Sequence, residues 1–96
     1  MNKDAVVVDS KAKVAMRAGK KIRLSPKECK LLLCLLENKN KTVERKKLLK
    51  QIWKYAPDIE TRVVDVYVGY LRRKIDSGFS HKLIHSVRGV GYTFKS

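Results

Sequence analysis

The hydrophobic pattern of this 96-residue chain changes its period twice, and that order restricts the folds open to it. Near both ends, apolar and polar residues alternate as in half-buried strands, whereas the middle repeats apolar residues every three or four positions, as helices do. Residues 4–25 predict a small antiparallel meander with turns at 10–12 and 18–20. Residues 83–94 alternate around glycines and predict a C-terminal β-hairpin. The pattern therefore indicates one α+β domain spanning 1–96.

Three helices are predicted between the strands, over 26–38, 45–54 and 61–77. Ser25, Pro26 and Glu28 are typical of a capping box with proline in the first turn. Pro57 cannot continue the second helix, so a loop is predicted before the third. The buried stripes of the three helices are expected to be, in order, Cys29, Leu32, Leu33 and Leu36; Leu48, Leu49, Ile52 and Trp53; and Val64, Val68, Leu71 and Ile75.

The charge balance indicates a polyanionic partner. The chain has 23 Lys and Arg against 9 Asp and Glu, a formal net charge of +14, which makes nucleic acid the leading candidate. Its longest apolar run, Leu31 to Leu36, is far shorter than the roughly 20 residues of a membrane-spanning helix. Cys29 and Cys34 are expected to be core thiols of a cytoplasmic protein. His81 and His85 have no evident catalytic partner, so neither an enzyme, a metal nor a cofactor is expected.

The third helix carries the clearest binding pattern. Its outward face is predicted to present Arg62, Val66, Gly69 and Arg73, flanked by Tyr70. Val66 suits a thymine methyl group, Tyr70 or Arg73 can reach a base edge, and Arg62, Arg72 and Lys74 suit phosphates. The alternative is a solvated amphipathic helix. Gly69 either permits close approach to a groove or is merely tolerated.

Three further features fit contact with a duplex. Arg88 lies at a glycine-flanked hairpin tip, where it could enter a narrow minor groove; it could equally be an exposed turn residue or pair with Asp65. Trp53 is expected to pack in the core and also to reach a phosphate through its indole N–H. The run Arg45–Lys47 begins the second helix, where it either attracts phosphate or is simply solvated.

Helix, loop, helix and hairpin in that order predict a winged helix-turn-helix. The segments LSPKECKLLLCLLENKNKTVERKKLLKQIW, TRVVDVYVGYLRRKID and LIHSVRGVGYTF resemble the OmpR/PhoB-type winged-helix effector domain of bacterial two-component response regulators, across nearly all of residues 5–95. The resemblance implies a four-stranded N-terminal sheet, three helices and a hairpin wing. It also implies that the third helix enters the major groove and the wing the adjacent minor groove.

The same resemblance assigns roles to individual positions. It implies a phosphate contact for Arg62, groove-facing positions for Val66, Tyr70 and Arg72, wing contacts for Ser86 and Arg88, and backbone contacts for Trp53 and Arg45. It also implies a loop that contacts RNA polymerase, formed by Lys54, Tyr55, Ala56, Pro57, Asp58, Ile59 and Glu60. Glu44 departs from the family's usual Ser or Thr helix cap, and Gly69 and Tyr70 stand where basic residues are common.

We therefore expect sequence-specific binding of double-stranded DNA and regulation of transcription. By resemblance, a head-to-tail homodimer forms on DNA, and a receiver domain normally precedes this one. No receiver lies within these 96 residues, as in an excised effector domain or a shortened relative. The alternatives are an RNA polymerase or protein-interaction module with weak DNA attraction, and a non-specific coat for duplex DNA or RNA.

Overall fold

A computed structural model describes residues 5–56 and 58–95 of the chain. Asp4 at the start of the predicted meander, Pro57 in the predicted polymerase loop and the chain ends of the predicted 1–96 domain lie outside the described residues. The described elements, in chain order, are β1 (Val6–Asp9), β2 (Val14–Arg17), β3 (Lys20–Arg23), α1 (Pro26–Glu37), β4 (Thr42–Glu44), α2 (Arg45–Trp53), α3 (Val63–Leu71), a π-helical segment (Arg72–Asp76), β5 (Ile84–Val87) and β6 (Gly91–Phe94).

Two antiparallel sheets flank the helices. The N-terminal sheet has the strand order β1-β2-β3, and the C-terminal sheet has the order β4-β6-β5. The described part of the N-terminal sheet thus has three strands, where the resemblance implied four. The predicted hairpin is widened by β4, in which Val43 pairs with Tyr92 of β6. The local sequence does not predict this pairing, because the partner strand of β4 lies far along the chain and hydrophobic alternation does not identify it.

The helix boundaries follow their caps. Ser25 Oγ accepts a hydrogen bond from the Glu28 N–H, and Glu28 Oε1 accepts one from the Ser25 N–H, which confirms the predicted capping box. α2 begins at Arg45 although Glu44 provides no side-chain cap. Instead, the Arg45 N–H donates to the Val90 carbonyl at 3.2 Å, so a backbone carbonyl of the hairpin turn satisfies one of the free N–H groups of the helix.

The ends of α2 and α3 differ slightly from the predicted limits. α2 stops at Trp53, followed by Lys54 in the left-handed region at a φ of 61°. α3 begins at Val63, whose N–H donates to Thr61 Oγ1, two residues later than predicted. At the other end the helix widens into the π-helical segment, closed by a hydrogen bond from the Ser77 N–H to the Arg72 carbonyl.

The core packs α1 between the other helices and the C-terminal sheet. The buried stripes predicted for the second and third helices are confirmed. The stripe predicted for the first was too narrow: Leu31 and Leu35 are fully buried, while Leu33 and Leu36 are only partly buried. α1 contacts α2, α3 and β6, so more than one face of this central helix is covered.

A buried ion pair joins the N-terminal sheet to the π-helical segment that follows α3, and it was not predicted. Arg17 of β2 is fully buried, with its Nη1 3.1 Å from Asp76 Oδ1. The same guanidinium donates to the carbonyls of Ile75 and His81 and lies 3.8 Å above the Phe79 ring. Alternation alone does not show that an arginine occupies the core face of β2. The N-terminal sheet is thereby fixed to the end of the third helix.

The whole arrangement confirms the predicted α+β winged helix-turn-helix. α2, the loop and α3 form the helix-turn-helix, and β5 and β6 form the wing beside α3. Among the described residues, no helix combines the length and apolar character needed to cross a membrane.

Candidate nucleic-acid interface

The outer face of α3 is open to solvent, as the helical spacing predicts. Val66 and Tyr70 are 45% and 40% exposed, and Arg62 and Arg73 are exposed as well. On the opposite side, Val64, Val68, Leu71 and Ile75 are at most 1% exposed. One side of α3 therefore packs in the core, while the other is free to enter the groove of a nucleic-acid duplex.

A row of aromatic rings connects the core to this face. Trp53 and Tyr67 meet edge to face with ring centroids 5.2 Å apart, and Tyr67 and Tyr70 do the same at 5.2 Å. The Arg73 guanidinium lies 5.9 Å from the Tyr70 centroid. Trp53 is 9% exposed, which confirms its predicted packing. Its contact with a phosphate stays a prediction. The row holds Tyr70 at a defined angle on the surface.

Asp65 joins the start of α2 to the wing. Its Oδ1 accepts hydrogen bonds from Arg45 Nε at 3.0 Å and from the Tyr92 hydroxyl. Burial raises the pKa of Tyr92, and the hydrogen bond to Asp65 raises it further. The pairing of Asp65 with Arg88 that the sequence left open is wrong, because Arg45 and Tyr92 occupy the carboxylate instead.

Arg72 and Ser86, both predicted to contact DNA, contact each other. Arg72 Nη2 donates to Ser86 Oγ at 2.6 Å, and Arg72 Nε donates to the Ile84 carbonyl at 3.3 Å. This guanidinium also lies 5.7 Å from the Tyr92 centroid. The π-helical segment that follows α3 is thus held against β5 of the wing. Contact of either side chain with DNA stays a prediction.

Lys74 is directed elsewhere. Its ammonium donates to Glu28 Oε1 at 2.6 Å and to the Arg23 carbonyl at 3.1 Å. Burial is the largest single influence on Glu28 and opposes its ionisation. The hydrogen bonds from Lys74 and Ser25 and the positive charge of Lys74 together outweigh burial, so the pKa of Glu28 is lowered. Lys74 therefore links the π-helical segment after α3 to α1 and β3, and its position does not support the predicted phosphate contact.

The wing tip is exposed and cationic. Arg88 is exposed and makes no side-chain hydrogen bond or ion pair within 5–56 and 58–95. The turn is closed by a hydrogen bond from the Val90 N–H to the Val87 carbonyl, with Gly89 at a φ of 75°. Between this tip, the start of α2 and residues 59–62 lies an open groove of about 800 Å³.

The loop between α2 and α3 presents apolar side chains to solvent. Tyr55 and Ile59 are 43% and 48% exposed, and Lys54, Ala56, Asp58 and Glu60 are exposed too. A hydrogen bond from the Ile59 N–H to the Ala56 carbonyl shapes the turn. Contact with RNA polymerase stays a prediction for this loop.

The cysteines and other potential metal ligands form no cluster in the described part of the chain. Cys29 is buried and Cys34 partly buried, and both are free thiols. No group of three or more His, Cys, Asp and Glu side chains that could hold a metal ion occurs among the described residues.

Gly69 lies on the outer face with open space around it. A Cβ built there would meet nothing within 4 Å, so packing within the chain does not require glycine. We expect Gly69→Ala to raise the free energy of unfolding by about 1 kcal/mol, because glycine is a poor helix former. We expect the same change to weaken binding to a cognate duplex, since the added methyl separates the helix from the groove.

Urea unfolding and duplex titration of the Gly69→Ala protein measure the two effects separately. Gly78→Ala is the matched control, because Gly78 has a φ of 86° and lies beyond the helix; there the alanine should destabilise the fold. If Gly69→Ala gains stability and keeps full affinity, the glycine is merely tolerated.

Comparison with known proteins places this geometry among transcription regulators. Residues 19–94 match the family model described as "Transcriptional regulatory protein, C terminal". The response regulator ArlR of Staphylococcus aureus is 39% identical over 92 residues, covering 96% of this chain and 42% of ArlR. The uncharacterized transcriptional regulatory protein YkoG of Bacillus subtilis is 36% identical, with 96% and 40% covered. The chain thus spans about two fifths of the length of these relatives.

A solved structure shows the same architecture. The Klebsiella pneumoniae RstA DNA-binding domain, in complex with the RstA box, superposes with a TM-score of 0.84 at 26% identity. The match covers 99% of this chain and 95% of that one. The arrangement of two sheets and three helices is therefore shared along nearly the full length of both chains.

Proposed function

The chain belongs to the family of C-terminal domains of transcriptional regulatory proteins, and we propose that it binds double-stranded DNA sequence-specifically as the output domain of a two-component response regulator. The observation that carries this proposal is the exposed face of α3 with the wing arginine beside it. Val66 and Tyr70 stand out from a helix whose other side is wholly buried. Such a helix can enter a major groove, and Arg88 can enter the neighbouring minor groove.

Electrostatics supply affinity, whereas the face of α3 supplies selectivity. A net charge of +14 attracts the phosphates of any duplex. Arg62 and Arg45 flank the start of α3 and are exposed, in positions suited to phosphates on the groove's rim. Tyr70, held by Tyr67, offers a hydroxyl and a ring to base edges. Sequence preference should therefore depend on Val66, Tyr70 and Arg73.

The remaining elements of the proposal concern partners and location. The exposed Tyr55 and Ile59 favour a protein contact by the α2–α3 loop, and RNA polymerase is the partner we propose for it. We also propose a head-to-tail homodimer on DNA, an upstream receiver domain in the intact regulator, a cytoplasmic location and a binding role without catalysis. These elements rest on the family and on the response-regulator relatives.

Salt dependence of binding to a selected duplex tests the proposal. A duplex chosen from a random library at about physiological salt is titrated between 50 and 200 mM salt. If five or six phosphates are neutralised, the log–log slope should be roughly −4.5 to −5.4, a loss of about 10³-fold in affinity over that range. A large excess of unrelated duplex should not displace the protein. A slope near zero would favour the protein-interaction module, and full displacement a non-specific coat.

The Arg88→Ala protein tests the wing within the same experiment. Its slope should become less steep by about 1, because one phosphate or minor-groove contact is lost. Its stability should change by less than about 0.5 kcal/mol, since Arg88 is exposed. Lys11→Ala, in the turn between β1 and β2, removes an equal charge far along the chain and serves as control. Equal affinity of Arg88→Ala and wild type would remove the wing from the interface.

A further inference from the structure

Asp65 is an acidic residue on the surface that we propose to face the negatively charged DNA. It is the only carboxylate within α3, in the first turn of the helix. A phosphate backbone close to α3 would be repelled by this charge. Attraction to DNA therefore does not explain an aspartate at this position. The contribution of Asp65 must therefore come from what its side chain holds in place.

Its side chain holds three elements together. One oxygen, Oδ1, accepts hydrogen bonds from Arg45 Nε, at the first residue of α2, and from the Tyr92 hydroxyl, on β6. Asp65 itself lies on α3, and its side chain is 23% exposed. Hydrogen bonds to an ionised acceptor are stronger than neutral ones. This carboxylate therefore sets the position of α3 relative to both α2 and the wing.

Tyr92 also contacts Arg72, which follows the last residue of α3. The Arg72 guanidinium lies 5.7 Å from the Tyr92 ring and donates to Ser86 Oγ on β5. α3 is thus linked to the wing near its start by Asp65 and near its end by Arg72. In addition, the Arg45 N–H donates to the Val90 carbonyl in the wing turn. The spacing between α3 and the wing depends on this set of contacts.

We propose that Asp65 is a positioning residue that determines sequence specificity by fixing the angle between α3, α2 and the wing. This inference rests on the proposed function, because it concerns discrimination between duplexes. A base-specific contact tolerates little displacement, whereas phosphate attraction tolerates much more. Loss of the Asp65 contacts should therefore reduce affinity for the selected duplex and leave affinity for unrelated duplex unchanged or increased.

Three variants separate geometry from charge. Asp65→Ala removes both hydrogen bonds and the charge, Asp65→Asn removes the charge but keeps an acceptor oxygen, and Tyr92→Phe removes one hydrogen bond and keeps the charge. The ratio of affinities for selected and unrelated duplex should fall about tenfold in Asp65→Ala. It should fall less in Asp65→Asn, and it should fall in Tyr92→Phe without any change in net charge. Unfolding curves establish that each variant is folded.

A measurement without DNA distinguishes failure of this inference from failure of the proposed function. Hydrogen exchange of the Arg45 amide reports its bond to the Val90 carbonyl, and it should accelerate in Asp65→Ala and Tyr92→Phe. Unchanged exchange in both variants overturns the inference. So does an unchanged affinity ratio in folded Asp65→Ala and Tyr92→Phe. A wild-type protein that binds selected and unrelated duplexes equally would instead overturn the proposed function, while the exchange result still decides whether Asp65 positions the wing.

Discussion

Replacing Arg17 with methionine is expected to lower the free energy of unfolding by about 3–5 kcal/mol, the cost of breaking a buried ion pair by removing one partner. Arg17 is fully buried, and three acceptors surround its guanidinium: Asp76 Oδ1 and the carbonyls of Ile75 and His81. Methionine fills much of the volume but donates no hydrogen bond. Asp76 would then remain as a buried carboxylate without its cation.

Loss of the Arg17 guanidinium should affect the wing as well as the N-terminal sheet. Asp76 Oδ1 and Oδ2 accept the N–H groups of Leu83 and Ile84, where β5 begins. If Asp76 moves, the start of β5 moves with it. Small domains are stable by about 5–15 kcal/mol in total, so this change removes a large part of the reserve.

Urea unfolding of the Arg17→Met protein measures the effect. Lys21→Met, on the neighbouring strand of the same sheet, is the matched control, because Lys21 is exposed and should change stability by less than about 0.5 kcal/mol. A loss below about 1 kcal/mol in Arg17→Met would show that the ion pair contributes little beyond what an apolar side chain provides.

Replacing Gly91 with alanine is the second change with a large expected effect, a loss of about 3 kcal/mol in unfolding free energy. A Cβ at Gly91 would lie 1.9 Å from the Val43 carbonyl oxygen and 2.9 Å from its carbonyl carbon. Both are backbone atoms of β4 and cannot rotate away. Relief requires β4 and β6 to separate, which disrupts the pairing of Val43 with Tyr92.

Gly89→Ala is the control for this prediction. Gly89 lies two residues away at a φ of 75° with open space around it, so alanine there meets only backbone strain of about 1–2 kcal/mol. Thermal or urea unfolding should rank the Gly91→Ala protein below the Gly89→Ala protein. The reverse order would mean that the strands separate at little cost. The sequence pattern predicted a turn position for both glycines, but only Gly89 lies in the turn at a positive φ, whereas Gly91 begins β6.

Most helices and strands of the fold could be predicted from the local pattern of apolar and polar residues. Capping of α1 by Ser25 and Glu28, the buried stripe of α3 and the outward position of Val66 and Tyr70 all depend on residues within a few positions of one another. Hydrophobic period and cap chemistry act at that range, so the sequence contains their signal directly. The winged-helix order of elements was predicted from the same patterns and from the resemblance to OmpR/PhoB-type effector domains.

Only part of the candidate site could be predicted from the sequence. Exposure of the α3 face follows from helical spacing, but the pairing of Arg72 with Ser86 and of Asp65 with Arg45 and Tyr92 does not. Lys74 shows the same limit: spacing assigned it to a phosphate, whereas Glu28 of α1 holds it, 46 residues earlier in the chain. A charged side chain has several candidate partners in sequence, and only packing brings one of them within reach.

Short-range order, net charge and the amphipathic character of each helix were determined by the sequence alone, because each arises from neighbours along the chain. The tertiary structure decided which face of β2 enters the core, that β4 completes the wing sheet, and which cations remain available at the surface. Arg17 and Asp76 are 59 residues apart, and Thr42 and Thr93 are 51 apart. Such contacts form only when the chain closes on itself, and no local periodicity encodes them.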